Sequence, residues 1–91
     1  MRYEYKPSFD RMFKKLPKDR RDKVLKAIFA LIEYFEVGKR AKGLGLKHLR
    51  DDFWEIRADI RDRIMFAFTD DIVSFVVVGT HDEIRRFLRS V

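Results

Sequence analysis

Apolar and polar residues alternate through FWEIRADIRDRIMFAFTDDIVSFVVVGTHDE, residues 53 to 83, and the alternation lapses at Asp59–Arg61 and again at Asp70–Asp71. A two-residue period is that of a strand, so this stretch predicts three antiparallel strands joined by two hairpin turns. A turn near Ile60 sets Arg57 opposite Arg63. A turn at Asp70–Asp71 sets Arg63 opposite Val78 and brings Arg61 near Thr80. Opposed residues share a face, so Arg57 and Arg63 point the same way, with Glu55 two residues along and His81 leaving the last strand at the same edge. Parity gives the other face to Trp54, Ile56, Ala58, Ile64, Phe66, Phe68, Val73, Phe75 and Val77. Such an apolar face needs a cover.

Residues 18 to 37 supply one. Val24, Ala27, Ile28, Leu31 and Phe35 follow helical spacing, and Leu25, Phe29 and Ile32 widen the stripe. Pro17 suits the entry to this helix and Gly38 its exit. A shorter helix precedes it, with Ser8 as N-cap and Phe9, Met12, Phe13 and Leu16 on the buried side. Residues 2 to 6 form a short strand whose pairing the pattern leaves open. Thr80-His81-Asp82-Glu83 matches a capping box, so a last helix runs to about Leu88 and packs through Ile84, Phe87 and Leu88. Segregated helices and strands of this kind imply an α+β fold.

A chain of 91 residues is expected to form one domain, spanning 1–91, around a single core. No apolar run approaches the ~20 residues of a membrane span, and no leader segment is visible, so a cytoplasmic location is expected. The absence of cysteine excludes disulfides, thiolate nucleophiles and thiolate metal sites. The two histidines, His48 and His81, lack the neighbouring carboxylates of a metal site, so neither a metal nor another cofactor is expected.

The net charge of +6 is unevenly spread: residues 1–50 hold fifteen Lys/Arg against six Asp/Glu, and residues 51–91 six against nine. Lys14, Lys15, Lys18, Arg20, Arg21, Lys23 and Lys26 form one basic cluster, and Lys39, Arg40, Lys42, Lys47 and Arg50 another that leads into the sheet. A basic field of this kind favours polyanions by counterion release, although a surface rich in solvated charge has the same composition. Arg57 and Arg63 sharpen the choice. Side by side on one face they repel each other unless an anion lies between them, and a phosphate fits.

LKHL at 46–49, FWEIR at 53–57, RIMFAFTDD at 63–71 and VVVGTHDEI at 76–84, in this order behind a two-helix start, resemble the RelE/ParE superfamily of toxins from toxin–antitoxin pairs. The resemblance covers nearly the whole chain and favours the RelE branch. It implies a small antiparallel sheet, two N-terminal helices on one face and a short C-terminal helix, in the order β-α-α-β-β-β-α. It also implies a ribosome-dependent endoribonuclease that cuts messenger RNA in the A site without a metal. In that chemistry the RNA 2′-hydroxyl attacks the adjacent phosphate and the 5′-oxygen leaves, which requires a base, an acid and stabilisation of added negative charge.

The resemblance assigns Arg63, with Arg57 beside it, to the scissile phosphate, because a guanidinium fork fits non-bridging oxygens. It assigns His81 to acid or base work, since an imidazole titrates near neutral pH. Glu55, where other members often carry lysine, is either the general base or a neutralising partner for Arg57. Lys42, Lys47, Arg50, Arg61, Arg85 and Arg86 are the residues expected to hold RNA or the ribosome. The implied partners are a cognate antitoxin, the ribosome and messenger RNA. One departure stands out: many members carry a tyrosine or histidine near the C-terminus, whereas this chain offers Arg85, Arg86 and Phe87 and no tyrosine after Tyr34. Two other functions stay open on the sequence: a ParE-like inhibitor of DNA gyrase that cuts nothing, and a non-toxic RNA-binding member of the family.

Overall fold

The computed structural model describes residues 1–91, in the order β1 (Arg2–Tyr5), α1 (Pro7–Lys14), α2 (Lys18–Val37), β2 (Lys47–Arg50), β3 (Phe53–Arg57), β4 (Asp62–Thr69), β5 (Ile72–Thr80) and α3 (His81–Arg89). The strands form one sheet in the order β1-β5-β4-β3-β2. The α+β class is as expected, with two differences from the expected sheet. It has five strands rather than four, because Lys47–Arg50 pairs with β3, and it is mixed rather than antiparallel, because β1 runs parallel to β5.

Local signals account for most element ends. Asp70 and Asp71 both take positive φ, 54° and 62°, which is the backbone of a two-residue hairpin turn matched to the twist of its strands. Gly38 ends α2 in the left-handed region at φ 75°, where its N–H donates to the Tyr34 carbonyl. Thr80 caps α3 reciprocally: its hydroxyl accepts from the Glu83 N–H while Glu83 accepts from the Thr80 N–H. Ser8 is not the cap of α1. Lys6 holds that position without a side-chain bond and Pro7 opens the helix, leaving the Ser8 hydroxyl to donate to the Val76 carbonyl at 2.6 Å.

That carbonyl belongs to a bulge. Met65 pairs with Val77 but the next residue of β4, Phe66, pairs with Phe75, so Val76 has no opposite number. Beyond it the parity of β5 reverses. Val78, not Val77, joins the helix-facing core, and Arg63 pairs with Gly79 instead of Val78, while Asp62 rather than Arg61 meets Thr80. Val77 turns to the other face, where it packs with Met65 and with Ile84 of α3.

The larger core therefore lies between the sheet and the first two helices, with Phe9, Val24, Ile28 and Leu31 facing Ile56, Ile64, Phe66, Val73, Phe75 and Val78. Leu25 and Phe29 do not widen this stripe: they are 41% and 68% exposed on the outer side of α2. The smaller core lies under α3, in which Ile84 is the one buried residue. Burying an isoleucine stabilises by about 2 kcal/mol, so α3 is held by few anchors. No helix is long and apolar enough to cross a membrane.

Candidate active site

β2 and β3 bring the first pair of site residues together. Lys47 is the cross-strand partner of Glu55, and directly opposed side chains share a face, here the one that α3 partly covers. Glu55 is 6% exposed. It takes part in none of the five ion pairs of the molecule and in no side-chain hydrogen bond. Its carboxylate is therefore free to meet a positive or hydrogen-bonding group that enters from the cleft it lines.

α3 supplies the facing wall. The capping box fixes where the helix starts, and His81, its first residue, together with Arg85 one turn later, lines the same cleft as Glu55, Lys47, His48 and Arg50. The cleft has a volume of about 210 Å³. Arg50 is partly committed: its guanidinium donates to the carbonyls of Leu88 and Val91, each at 2.7 Å, and so ties β2 to the end of α3. His48 lies 4.8 Å from the Trp54 ring between centroids and its Nε2 lies 2.8 Å from the Asp51 carbonyl. A carbonyl accepts only, so Nε2 carries the hydrogen.

The two arginines expected to flank a phosphate pair as Cα partners across β3 and β4, but their side chains go to different places. Nη1 of Arg63 donates to the Asp59 carbonyl at 2.9 Å, with longer contacts to the Ile60 and Asp62 carbonyls, so one nitrogen holds the β3–β4 turn. Its Nε and Nη2 have no protein partner. The side chain of Arg57 runs past Gly45 toward a second, basic depression of about 350 Å³, which Lys23, Lys26 and Lys42 also line. Lys42 is thus a neighbour of Arg57 and not of the Glu55 cleft. Arg61 is exposed at the turn, where its N–H donates to Asp59 Oδ1. Arg86 faces the opposite side of α3, beside Met12 and Phe87.

Asp59 and Asp62 fasten the turn from which Arg63 is held. Asp59 Oδ1 accepts from the N–H groups of Asp62 and Arg61, at 2.7 and 2.9 Å. The bond from Asp62 is the largest cause that holds the Asp59 carboxyl below the usual range; partial burial opposes it, and Lys23 at 3.6 Å adds to it. Sequence reasoning placed Lys23 and Lys26 in the basic field without seeing that they join Arg57. It also missed that Arg20 in that field is bound to Asp62.

No protein-family model matches the chain, and no curated protein matches it by sequence. Solved structures do match. A histidine-to-glutamine variant of YafQ from E. coli is 16% identical over 92% of this chain and 98% of that one, with a TM-score of 0.74. A chain of the RelB–RelE antitoxin–toxin complex from Methanococcus jannaschii is 16% identical over 92% and 96%, with a TM-score of 0.68. The YoeB–YefM complex from Staphylococcus aureus gives 14% over 89% and 97%, with a TM-score of 0.63. The fold is that of RelE-type toxins, as the resemblance of the sequence motifs implied.

Proposed function

We propose that this chain is the toxin of a toxin–antitoxin pair and that it cleaves messenger RNA in the ribosomal A site, using the cleft between β3 and α3. The observation that carries the reading is Glu55, a largely covered residue whose carboxylate has no ion pair, set in one cleft with Lys47, Arg85 and His81. Glu55 removes the proton of the RNA 2′-hydroxyl as that oxygen bonds to phosphorus. The phosphorus–5′-oxygen bond then breaks, and His81 gives the leaving oxygen its proton. The products are a 2′,3′-cyclic phosphate and a 5′-hydroxyl end. Lys47, Arg85 and the two unpartnered nitrogens of Arg63 offset the charge that gathers on the phosphate oxygens. No metal or other cofactor enters these steps.

Arg57 and Lys42, with Lys23 and Lys26, form a separate basic surface that positions nucleic-acid backbone rather than the reacting group. Arg61 at the turn and Arg86 on the far side of α3 contribute to the general attraction for polyanions. A ribosomal substrate implies a cytoplasmic protein. The same reading implies an antitoxin, and the fold offers it a light attachment: α3 has one buried anchor and the bonds from Arg50, so a partner that competes for this face displaces it at small cost.

Primer extension on messenger RNA in a translating extract tests the reading. The expected result is cuts at A-site codons with programmed ribosomes, abolished by Glu55→Gln and by His81→Ala but retained in Arg2→Ala, which alters an exposed charge on the far edge strand. Intact messenger with translation proceeding would defeat the nuclease and send the protein to a gyrase supercoiling assay.

A further inference from the structure

The outer side of α2 carries a row that the catalytic reading leaves unused. Arg21, Leu25, Phe29 and Glu33 follow one another at four-residue intervals and form a single ridge about 18 Å long. Leu25 is 41% and Phe29 68% exposed, although both are large and apolar. Arg21 and Glu33, at the two ends, have no ion pair and no side-chain hydrogen bond within the chain. Lys18 and Glu36 lie on the same side of the helix but are already engaged, Lys18 with Asp22 at 3.0 Å and Glu36 with the Tyr3 hydroxyl at 2.8 Å, so the polarity of the ridge rests on Arg21 and Glu33.

A surface ordered positive, apolar, apolar, negative is complementary to itself when reversed. We propose that α2 pairs antiparallel with α2 of a second copy of this chain, about a twofold axis that passes between Leu25 and Phe29. The axis sets Leu25 of each copy against Phe29 of the other and Arg21 of each against Glu33 of the other, as an isologous interface requires. A parallel arrangement would oppose like charges. The apolar pair supplies the affinity, and the exposed ion pairs, individually weak, fix the direction. The dimer leaves both catalytic clefts open, because α2 covers the sheet face opposite to Glu55 and α3.

Sedimentation equilibrium of the full chain, up to about 1 mM, tests this at the weak end of specific association. The expected result is a monomer–dimer equilibrium that Phe29→Glu weakens about tenfold or more, with an unchanged far-ultraviolet spectrum. Arg21→Glu alone and Glu33→Arg alone each weaken it several-fold, and the double variant regains most of the loss, because the swapped charges again meet across the axis. A wild-type chain that stays monomeric throughout overturns the proposal and leaves the ridge to another protein. A dimer indifferent to Phe29→Glu, or a double variant as weak as the sum of its parts, overturns it equally.

Discussion

Arg20 of α2 and Asp62 at the start of β4 form a two-pronged ion pair, Nε to Oδ2 at 2.8 Å and Nη2 to Oδ1 at 2.6 Å. Asp62 is 1% exposed, and it is the largest reason that the Arg20 guanidinium is held still further above the neutral range. The pair locks the long helix to the strand from which Arg63 projects. Removing one partner leaves a charge out of water, so Arg20→Met is expected to cost about 3 kcal/mol. The double variant Arg20→Met/Asp62→Leu, with no charge left behind, should recover most of that. Urea unfolding measures both, and equal losses in the two would show that the pair's desolvation is not the governing cost.

The capping box at Thr80 and Glu83 decides where His81 stands. Thr80→Ala is expected to lower stability by about 1 kcal/mol, and hydrogen exchange should show the loss in residues 81–90 before the sheet. Gly79 belongs to the same device: a Cβ there would lie 2.7 Å from Glu83 Oε1 and 3.3 Å from the Met12 methyl. Gly79→Ala should therefore free Glu83 from the cap and match the exchange pattern of Thr80→Ala. A uniform change across the chain would separate the two.

The Ser8 hydroxyl donates to the carbonyl of the bulged residue, Val76, at 2.6 Å. Ser8→Ala leaves that part-buried carbonyl without its side-chain donor, and the expected cost is about 1 kcal/mol. Thermal unfolding of the variant beside the parent chain gives the value, and an unchanged midpoint would remove the hydroxyl from the account of why the bulge sits there.

Tyr3 and Asp59 bound the stability from opposite ends of the pH scale. Burial first, and the hydrogen bond to Glu36 second, push the Tyr3 phenol up to about 12. A pKa raised on folding contributes stability that is complete below the unfolded value of about 10 and is lost as pH climbs toward 12. Asp59 is depressed on folding, so its contribution is complete above the ordinary carboxylate range and disappears as acid protonates the folded form. Ultraviolet titration should show two phenols above the ordinary range, Tyr3 and Tyr5, of which Tyr3 moves earlier in Glu36→Gln, and in Asp59→Asn the acid limb of the stability curve should flatten. A Tyr3 phenol indifferent to Glu36→Gln would leave burial as its only cause.

Both hairpin turns, the extent of α2, the Thr80–Glu83 cap and the β3–β4 register were legible because each is written in a few adjacent residues. The bulge was not, since it falls in Val76-Val77-Val78, where three identical side chains carry no parity. Nor was the parallel seat of β1, whose four residues alternate charge and tyrosine but name no partner, and whose partner is some seventy positions away. In the site, face-sharing was enough to gather Glu55, and the cap enough to bring His81 toward it. It could not foresee that Arg57 and Arg63 diverge, because parity fixes the face from which a side chain leaves and not the direction a long one takes. Leu25 and Phe29 failed for a related reason: periodicity identifies apolar positions, while the width of the strand face beneath decides how many are covered.

β1 precedes every other element, yet the strand it lies against, β5, follows α1, α2 and three further strands. Its backbone groups on that side stay bound to water until β5 exists, so the sheet closes only after β5 has been made. Glu55 and His81 are separated by the same interval of β4 and β5. A polypeptide that stops short of β5 and α3 thus has neither a closed sheet nor the cleft that Glu55 and His81 line together.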